Sequence, residues 1–170
     1  DKGYEATSMA DILDASKLTK SSLYNTFGSK KELFHRVLDR YIAIRMEGFA
    51  QMAEASVAPG LGAVHAFLDT VFAFGRAGCL AVNTTTELGT TDPAVSAAAR
   101  VYRDRIRDAL QKVVTAACGS ETPEAQALAR VEMLLGFLLG YAVAARTGAD
   151  EAEMSRFADA AHATVDTWGV

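Results

Sequence analysis

The polar residues between positions 19 and 31 have the chemistry needed to contact nucleic acid. Lysine, serine and asparagine side chains hydrogen-bond base edges in a major groove, and the candidates of this kind are Lys20, Ser21, Ser22 and Asn25. Tyrosine and lysine side chains reach phosphate oxygens, and the candidates here are Tyr24, Lys30 and Lys31. The N–H groups of a helix beginning after Ser29 would attract the same anions.

These side chains need rigid elements to hold them, and the local sequence predicts two short helices. Thr7 or Ser8 can cap a first helix that ends near Ser16, and Thr19 can cap a second that runs to about Phe27. Leu18, between them, is expected to be buried. In the second helix Leu23 lies four residues before Phe27, so both would face inward and leave the polar residues outside. This arrangement is typical of a helix-turn-helix, although an ordinary solvent-exposed helical hairpin has the same pattern.

The run from Ile12 to Leu33 resembles the DNA-binding motif of the TetR family of bacterial repressors. The matching positions are Thr7, Ile12, Ala15, Leu18, Thr19, Lys20, Leu23, Tyr24, Phe27, Ser29, Lys30 and Leu33. The resemblance implies that Thr7, Tyr24 and Lys30 hold phosphates, and that the residues from Thr19 to Ser22 and Asn25 lie at or near the bases. It also implies a dimer on double-stranded operator DNA, with a helical effector domain after the motif.

Two features depart from the family pattern. Lys17 occupies the turn position where the family often has glycine, and a left-handed backbone there would cost roughly 1 kcal/mol. The family also has a helix before position 7 that this sequence lacks. We therefore expect residues 1–45 to form a DNA-binding domain without its first helix, in a chain truncated or incompletely described at its N-terminus.

Composition predicts an all-α fold and a basic N-terminal surface. Half of the 170 residues are apolar and only three are proline. Net charge is −4, yet positions 17–45 hold seven basic and two acidic residues. Because phosphate contact depends on local charge, the negative total does not exclude nucleic acid.

The remaining chemistry argues against several other classes of protein. Three scattered histidines, two separate cysteines and the lack of a glycine-rich nucleotide loop give no catalytic residues, no metal site and no cofactor. Free thiols and the absence of a signal peptide predict a cytoplasmic protein. The apolar run from Met133 to Ala145 falls short of the ~20 residues that span a bilayer.

Residues 46–170 are predicted to form a helical effector-binding and dimerisation domain. Six helices are expected, over 29–56, 63–76, 79–88, 92–118, 123–146 and 150–168, the first beginning in the DNA-binding domain. The last two are so apolar that we expect them to pair with a twin in a four-helix interface, rather than only in an intrachain core. The proposed interface residues are Val131, Leu135, Leu138, Phe157, Ala161, Val165 and Trp168.

An unknown small-molecule effector would occupy an apolar cavity with a few polar groups. The candidates are Phe67, Val71, Phe74, Asn83, Glu87, Tyr102, Met133, Phe137 and Tyr141, with His65 as a further possibility. Each is also compatible with a plain core role. Cys79, at a predicted helix N-terminus, is a candidate redox or electrophile sensor, or a small buried residue.

The sequence therefore predicts a ligand-responsive repressor that binds operator DNA as a dimer. The alternative is a ligand-binding or redox-sensing helical module in which DNA binding is weak or lost.

Overall fold

The structure, a computed structural model, describes residues 3–75 and 78–169. This part of the chain folds into eight α-helices and contains no β-strand, which confirms the predicted all-α class. The helices are α1 (Met9–Ser16), α2 (Lys20–Phe27), α3 (Lys30–Ala55), α4 (Leu61–Gly75), α5 (Leu80–Leu88), α6 (Pro93–Cys118), α7 (Glu124–Arg146) and α8 (Glu151–Asp166).

Side-chain caps explain where several helices begin. Ser8 and Asp11 form a reciprocal capping box at α1, as Ser29 and Glu32 do at α3. Hydrogen bonds from the Ser29 N–H and hydroxyl hold the pKa of Glu32 below its ordinary value. Asp92 caps α6, whose first residue is proline. Because capping is a local interaction, the predicted helix starts agree with the structure to within a few residues.

The core lies in the second part of the chain and is centred on α6. This helix packs against α3, α4, α5 and α7, while α8 covers α4 and α7. Phe67, Leu110, Leu134 and Val165 come from four of these helices, and each is fully buried. Burying such side chains stabilises the fold by about 1.5–3 kcal/mol each.

The long helix α3 joins the N-terminal helices to this core. It continues without a break across position 45, the predicted domain boundary. Its buried residues Leu38, Ile42 and Phe49 pack into the core, and its first turns contact α2. Because the helix is continuous, a tilt at its core end displaces the helix-turn-helix as well.

Four apolar side chains lie outside the core although their helical spacing or local sequence favoured burial. Leu18 is 45% exposed, Val37 47%, Val101 51% and Phe74 60%. The expectation that Leu18 is buried was therefore wrong. Leu18 lies in the turn between α1 and α2, and α1 contributes no fully buried residue against which it could pack.

One helix, α7, is long and apolar enough to cross a membrane by length and composition alone. It packs against α4, α6 and α8, and Val131, Leu134, Leu135 and Leu138 are buried in these contacts. A core helix meets the same two criteria, and the packing assigns α7 to the core.

Candidate nucleic-acid interface and inner cavity

The turn between α1 and α2 sets the angle between the two helices of the motif. Lys17 ends α1 in the left-handed conformation (φ 59°), as the sequence predicted, and its N–H donates to the Leu13 carbonyl. Lys17 is the one non-glycine residue with positive φ in the described ranges. An L-residue there costs roughly 1–2 kcal/mol, so the turn is strained.

Helix α2 presents its polar face to solvent. Leu23 is 1% exposed and lies on the side of α2 turned away from solvent, while Tyr24 is 40% exposed. Lys20, Ser21, Ser22 and Asn25 are also exposed. The residues predicted to meet bases therefore form one accessible surface, which could enter a major groove.

Hydrogen bonds among the hydroxyl groups organise the N-terminal end of α2. Thr19 caps the helix by accepting from the Ser22 N–H at 3.2 Å. Its hydroxyl lies 3.1 Å from that of Ser21 and 2.9 Å from that of Ser22. The Lys20 ammonium lies 5.9 Å from the centre of the Tyr24 ring. These contacts hold the side chains in place while leaving them exposed.

The residues predicted to contact phosphates have more varied surroundings. The Thr7 hydroxyl donates to the Gly3 carbonyl at 2.6 Å. The Lys30 ammonium lies over the Tyr4 ring, 4.3 Å from its centre. Lys31 is ion-paired with Asp92 at 3.1 Å, so its charge is used within the molecule. The phosphate role of Lys31 stays a prediction that this contact does not support.

A cavity of about 770 Å³ lies between the N-terminal helices and the core. One wall is formed by α3, through Leu33, Phe34, Val37, Tyr41 and Arg45. The facing wall comes from α4, α5 and the turn before α5, with Ala145 and Arg146 at the end of α7. The helix that continues from the DNA-binding motif therefore also lines the cavity.

The structure brings together only part of the predicted effector site. Phe74, Asn83, Glu87 and Cys79 line the cavity. The remaining candidates, Phe67, Val71, Tyr102, Met133, Phe137 and Tyr141, do not line it; they are buried or half-buried in the core. Tyr141, for example, donates a hydrogen bond to the Phe72 carbonyl at 3.2 Å. His65 lies elsewhere, between α4 and α8.

Cys79 lies at the cavity wall between two tyrosine hydroxyls. Its sulfur is 3.1 Å from the Tyr102 hydroxyl and 3.5 Å from the Tyr41 hydroxyl, and the residue is 5% exposed. Burial and the hydrogen bond to Cys79 raise the pKa of Tyr41 to about 12, and burial raises the pKa of Tyr102 as well. Both hydroxyls are therefore protonated at neutral pH.

Two carboxylates from the second part of the chain contact the segment before α1 and the start of α3, and the sequence did not reveal either contact. Glu87 accepts hydrogen bonds from the N–H groups of Tyr4 at 3.0 Å and Glu5 at 2.7 Å. Asp92 binds Lys31 and also His35, at 3.0 Å. These two bonds hold the pKa of Asp92 well below its ordinary value. No local signal predicts contacts between residues more than fifty positions apart.

The predicted dimer residues are already used within the chain. Val131, Leu135, Leu138, Ala161, Val165 and Trp168 are each at most 7% exposed, and Phe157 is half-buried against Phe137 and Tyr141. A side chain buried within one chain offers no surface to a second copy. Exposed apolar residues of α7 lie instead at Leu128 and Val143, each 41% exposed, with the exposed Gly136 between them.

Comparison with known proteins identifies relatives of the whole chain and of the motif. The pattern of the family described as bacterial regulatory proteins, tetR family, matches residues 1–37. The HTH-type transcriptional repressor ComR of Escherichia coli (strain K12) is 29% identical over 163 residues, covering 92% of this chain and 78% of ComR. The HTH-type transcriptional repressor BdcR of the same strain is 46% identical over 41 residues, 24% of this chain and 21% of BdcR.

Solved structures show the same fold. The reduced form of E. coli NemR superposes with a TM-score of 0.75 at 18% identity. A TetR transcriptional regulator from Legionella pneumophila gives 0.76 at 17% identity. Both alignments cover 96% of this chain and 86% of the other. With its exposed α2 surface, the chain is similar to bacterial regulators of the TetR family, in its motif and over most of its length, and this similarity supports a DNA-binding transcriptional regulator.

Proposed function

We propose that this protein is a homodimeric, cytoplasmic repressor that binds operator DNA through α2 and releases it when a small molecule fills the inner cavity. The observation that carries the proposal is the course of α3, which is capped beside α2 and lines the cavity with six of its residues. One rigid element thus contacts both candidate sites.

The coupling would act through the cavity walls. A ligand lying between α3 and α5 would push against Val37 and Tyr41 and tilt α3. The contacts of Glu87 with the segment before α1 and of Asp92 with α3 would change with it. A coupling free energy of about 1–3 kcal/mol is typical of such regulation. A coupling of this size would suffice to release the DNA, because the two recognition helices would no longer match half-sites roughly 34–36 Å apart.

The second copy would pack on the exposed stripe of α7. Leu128, Gly136 and Val143 lie at helical spacing on one side of this helix. No atom lies within 4 Å of a Cβ built at Gly136, so a partner backbone could approach closely there. This stripe replaces the buried residues first proposed for the interface.

The test of DNA binding is a fluorescence-anisotropy titration of the protein against the DNA upstream of its own gene, over a range of salt concentrations. A specific complex should bind far more tightly than random DNA. The logarithm of its affinity should fall linearly with the logarithm of salt concentration, by about 0.9 for each phosphate contact. Equal affinity for both DNAs would overturn the repressor proposal.

The cavity would favour an apolar effector with one anionic group. Lys30, Arg45 and Arg146 lie at its wall, whereas the carboxylate of Glu87 is occupied by two N–H groups. Among the described residues, no acceptor lies within hydrogen-bonding distance of the buried Nε of Arg45. A ligand carboxylate could take up this donor.

The anionic dye anilinonaphthalene sulfonate provides a probe for this site. It should bind the wild-type protein, and Arg45→Met, which keeps the length of the side chain but removes its charge, should weaken binding about tenfold, as expected for a charged hydrogen bond. Arg105→Met, on the exposed face of α6, is the matched control and should bind like wild type. Equal dye affinity in both variants would refute an anion site.

A redox-sensing module is the second candidate, because Cys79 lines the cavity. Alkylation rates at Cys79 and Cys118 in the folded protein distinguish the two interpretations. Both thiols are buried, so a structural role predicts slow labelling of both. Fast, selective labelling of Cys79 by a reagent small enough to enter the cavity would favour the sensor.

A further inference from the structure

Two histidines far apart in sequence meet between α4 and α8. His65 lies on α4 and His162 on α8, and their Nδ1 atoms are 2.7 Å apart. The centroids of the two rings are 5.0 Å apart and their planes are inclined by only 18°. Their side chains are 27% and 24% exposed. The pair is thus held between two helices and is still accessible from solvent.

Each imidazole is also bound at its other nitrogen by a carboxylate. The Nε2 atom of His65 lies 3.1 Å from Asp166, and that of His162 lies 3.1 Å from Asp69. A carboxylate accepts hydrogen bonds, so each Nε2 carries a hydrogen and donates it. In the neutral rings both lone pairs are then on Nδ1 and face each other across 2.7 Å. Two lone pairs repel at this distance unless a cation lies between them.

We propose that His65 and His162 bind a divalent transition-metal ion, with Zn²⁺ as the representative, through their two Nδ1 atoms, and that water completes its coordination. Imidazole nitrogen is a preferred ligand of such ions. The carboxylates of Asp69 and Asp166 supply the outer hydrogen bonds that fix the tautomer of a metal-binding histidine.

The charges and geometry of the site suit a divalent ion. The carboxylates of Asp69 and Asp166 carry two negative charges, which one divalent ion neutralises. Tetrahedral zinc at its usual bond lengths places two nitrogen ligands roughly 3.3 Å apart, so the pair must open by roughly 0.6 Å. Small rotations of the two partly exposed imidazole rings provide this increase in the distance between the Nδ1 atoms. Among the described residues no cluster of three or more potential ligands exists, so this is a two-histidine site.

Calorimetric titration of the full chain with zinc chloride near neutral pH tests the proposal. We expect one zinc ion per chain. His65→Asn and His162→Asn should each lower the affinity at least tenfold. Asp69→Asn and Asp166→Asn should lower it by about 10- to 100-fold, as removal of outer-shell partners does.

His35, which lies on α3, provides the matched control, since it pairs with Asp92 and not with another histidine. His35→Asn should bind zinc like wild type. In the NMR spectrum of the wild-type protein, zinc should shift the imidazole signals of His65 and His162 and leave those of His35 unchanged, a result that does not depend on any variant folding. Lack of zinc binding at millimolar concentration, or binding that survives in His65→Asn and His162→Asn, would overturn the proposal.

Discussion

At the scale of single residues, α2 separates the side chains that hold the motif from those that face outward. Leu23 is almost fully buried, while Lys20, Tyr24 and Asn25 on the same two turns are exposed. A lysine predicted to contact phosphate, such as Lys30, and an asparagine predicted to contact a base, such as Asn25, contribute differently to DNA binding. The lysine adds charge that any phosphate satisfies, whereas the asparagine can read a base edge.

We therefore expect substitution of a base-contacting residue and of a phosphate-contacting residue to change DNA binding in different ways. Asn25→Ala should weaken operator binding by about 1–3 kcal/mol and relax sequence preference, because a base contact is lost. Lys30→Ala, at a residue predicted to contact phosphate, should weaken operator and random DNA alike and reduce the salt slope by about 0.9. Anisotropy titrations over a salt series measure both quantities. Loss of sequence preference in Lys30→Ala alone would contradict these roles.

The turn residue Lys17 gives a second prediction at this scale. Lys17→Gly should raise the free energy of unfolding by up to about 1 kcal/mol, because glycine adopts φ 59° without a Cβ clash. Its exposed ion pair with Asp14 contributes little. Lys17→Ala loses the same pair but keeps the strain, so it serves as the control in urea unfolding. No difference between these two variants would show that the turn is unstrained.

At the scale of elements, α3 and the N-terminus of α6 are joined by a single carboxylate. Asp92 caps α6 by accepting from the Ala94 and Val95 N–H groups, and its other oxygen binds Lys31 and His35 on α3. One side chain thus stabilises a helix start and fixes the position of the helix that carries the motif. The sequence predicted the cap but not the contact with α3.

The depressed pKa of Asp92 makes this contact dependent on pH. A carboxyl whose folded-state pKa lies below its unfolded value of about 3.9 stabilises the fold above that pH, and this stability is lost as the pH falls further. Asp92→Asn should therefore be less stable than wild type at neutral pH and lose less stability on acidification to pH 3. Thermal unfolding over a pH series measures this.

Asp14→Asn is the control for that series, because Asp14 is a highly exposed carboxyl with one lysine partner. Its acid dependence should match that of wild type. If Asp92→Asn showed the wild-type acid dependence as well, the contact with α3 would have no role in stability.

At the scale of the whole molecule, the question is which surface α7 leaves for a second copy. Most of its large apolar side chains are used within the chain, and the exposed stripe is short. Gly136 lies in its middle. Close helix packing, at interaxial distances of about 8–10 Å, tolerates only small residues at such a point.

Gly136→Arg should therefore separate the dimer without harming the protomer. The space around a Cβ at this position is open, and arginine favours helix more than glycine does by roughly 1 kcal/mol. Light scattering coupled to size-exclusion chromatography should show a monomer. Gly62→Arg, at an equally open and exposed position on α4, should remain a dimer. A dimeric Gly136→Arg would place the interface elsewhere.

Features of the fold that depend on residues close together in sequence could be predicted, whereas features that depend on distant residues could not. The helix starts at Ser8, Thr19, Ser29 and Asp92 were predictable because a cap acts on residues two or three positions away. The DNA-contact surface was predictable for the same reason, since one short helix presents it. Periodicity was less reliable at the edge of an apolar stripe, and Val101 is exposed although its spacing favours burial.

The sequence by itself determined the all-α class, the positions of the helices and the character of the α2 surface, because each depends on residues a few positions apart. Only the tertiary structure decided which apolar residues fill the core of one chain, which line the cavity, and that His65 lies against His162. Those outcomes depend on how helices pack, and packing joins residues whose separation along the chain leaves no local pattern.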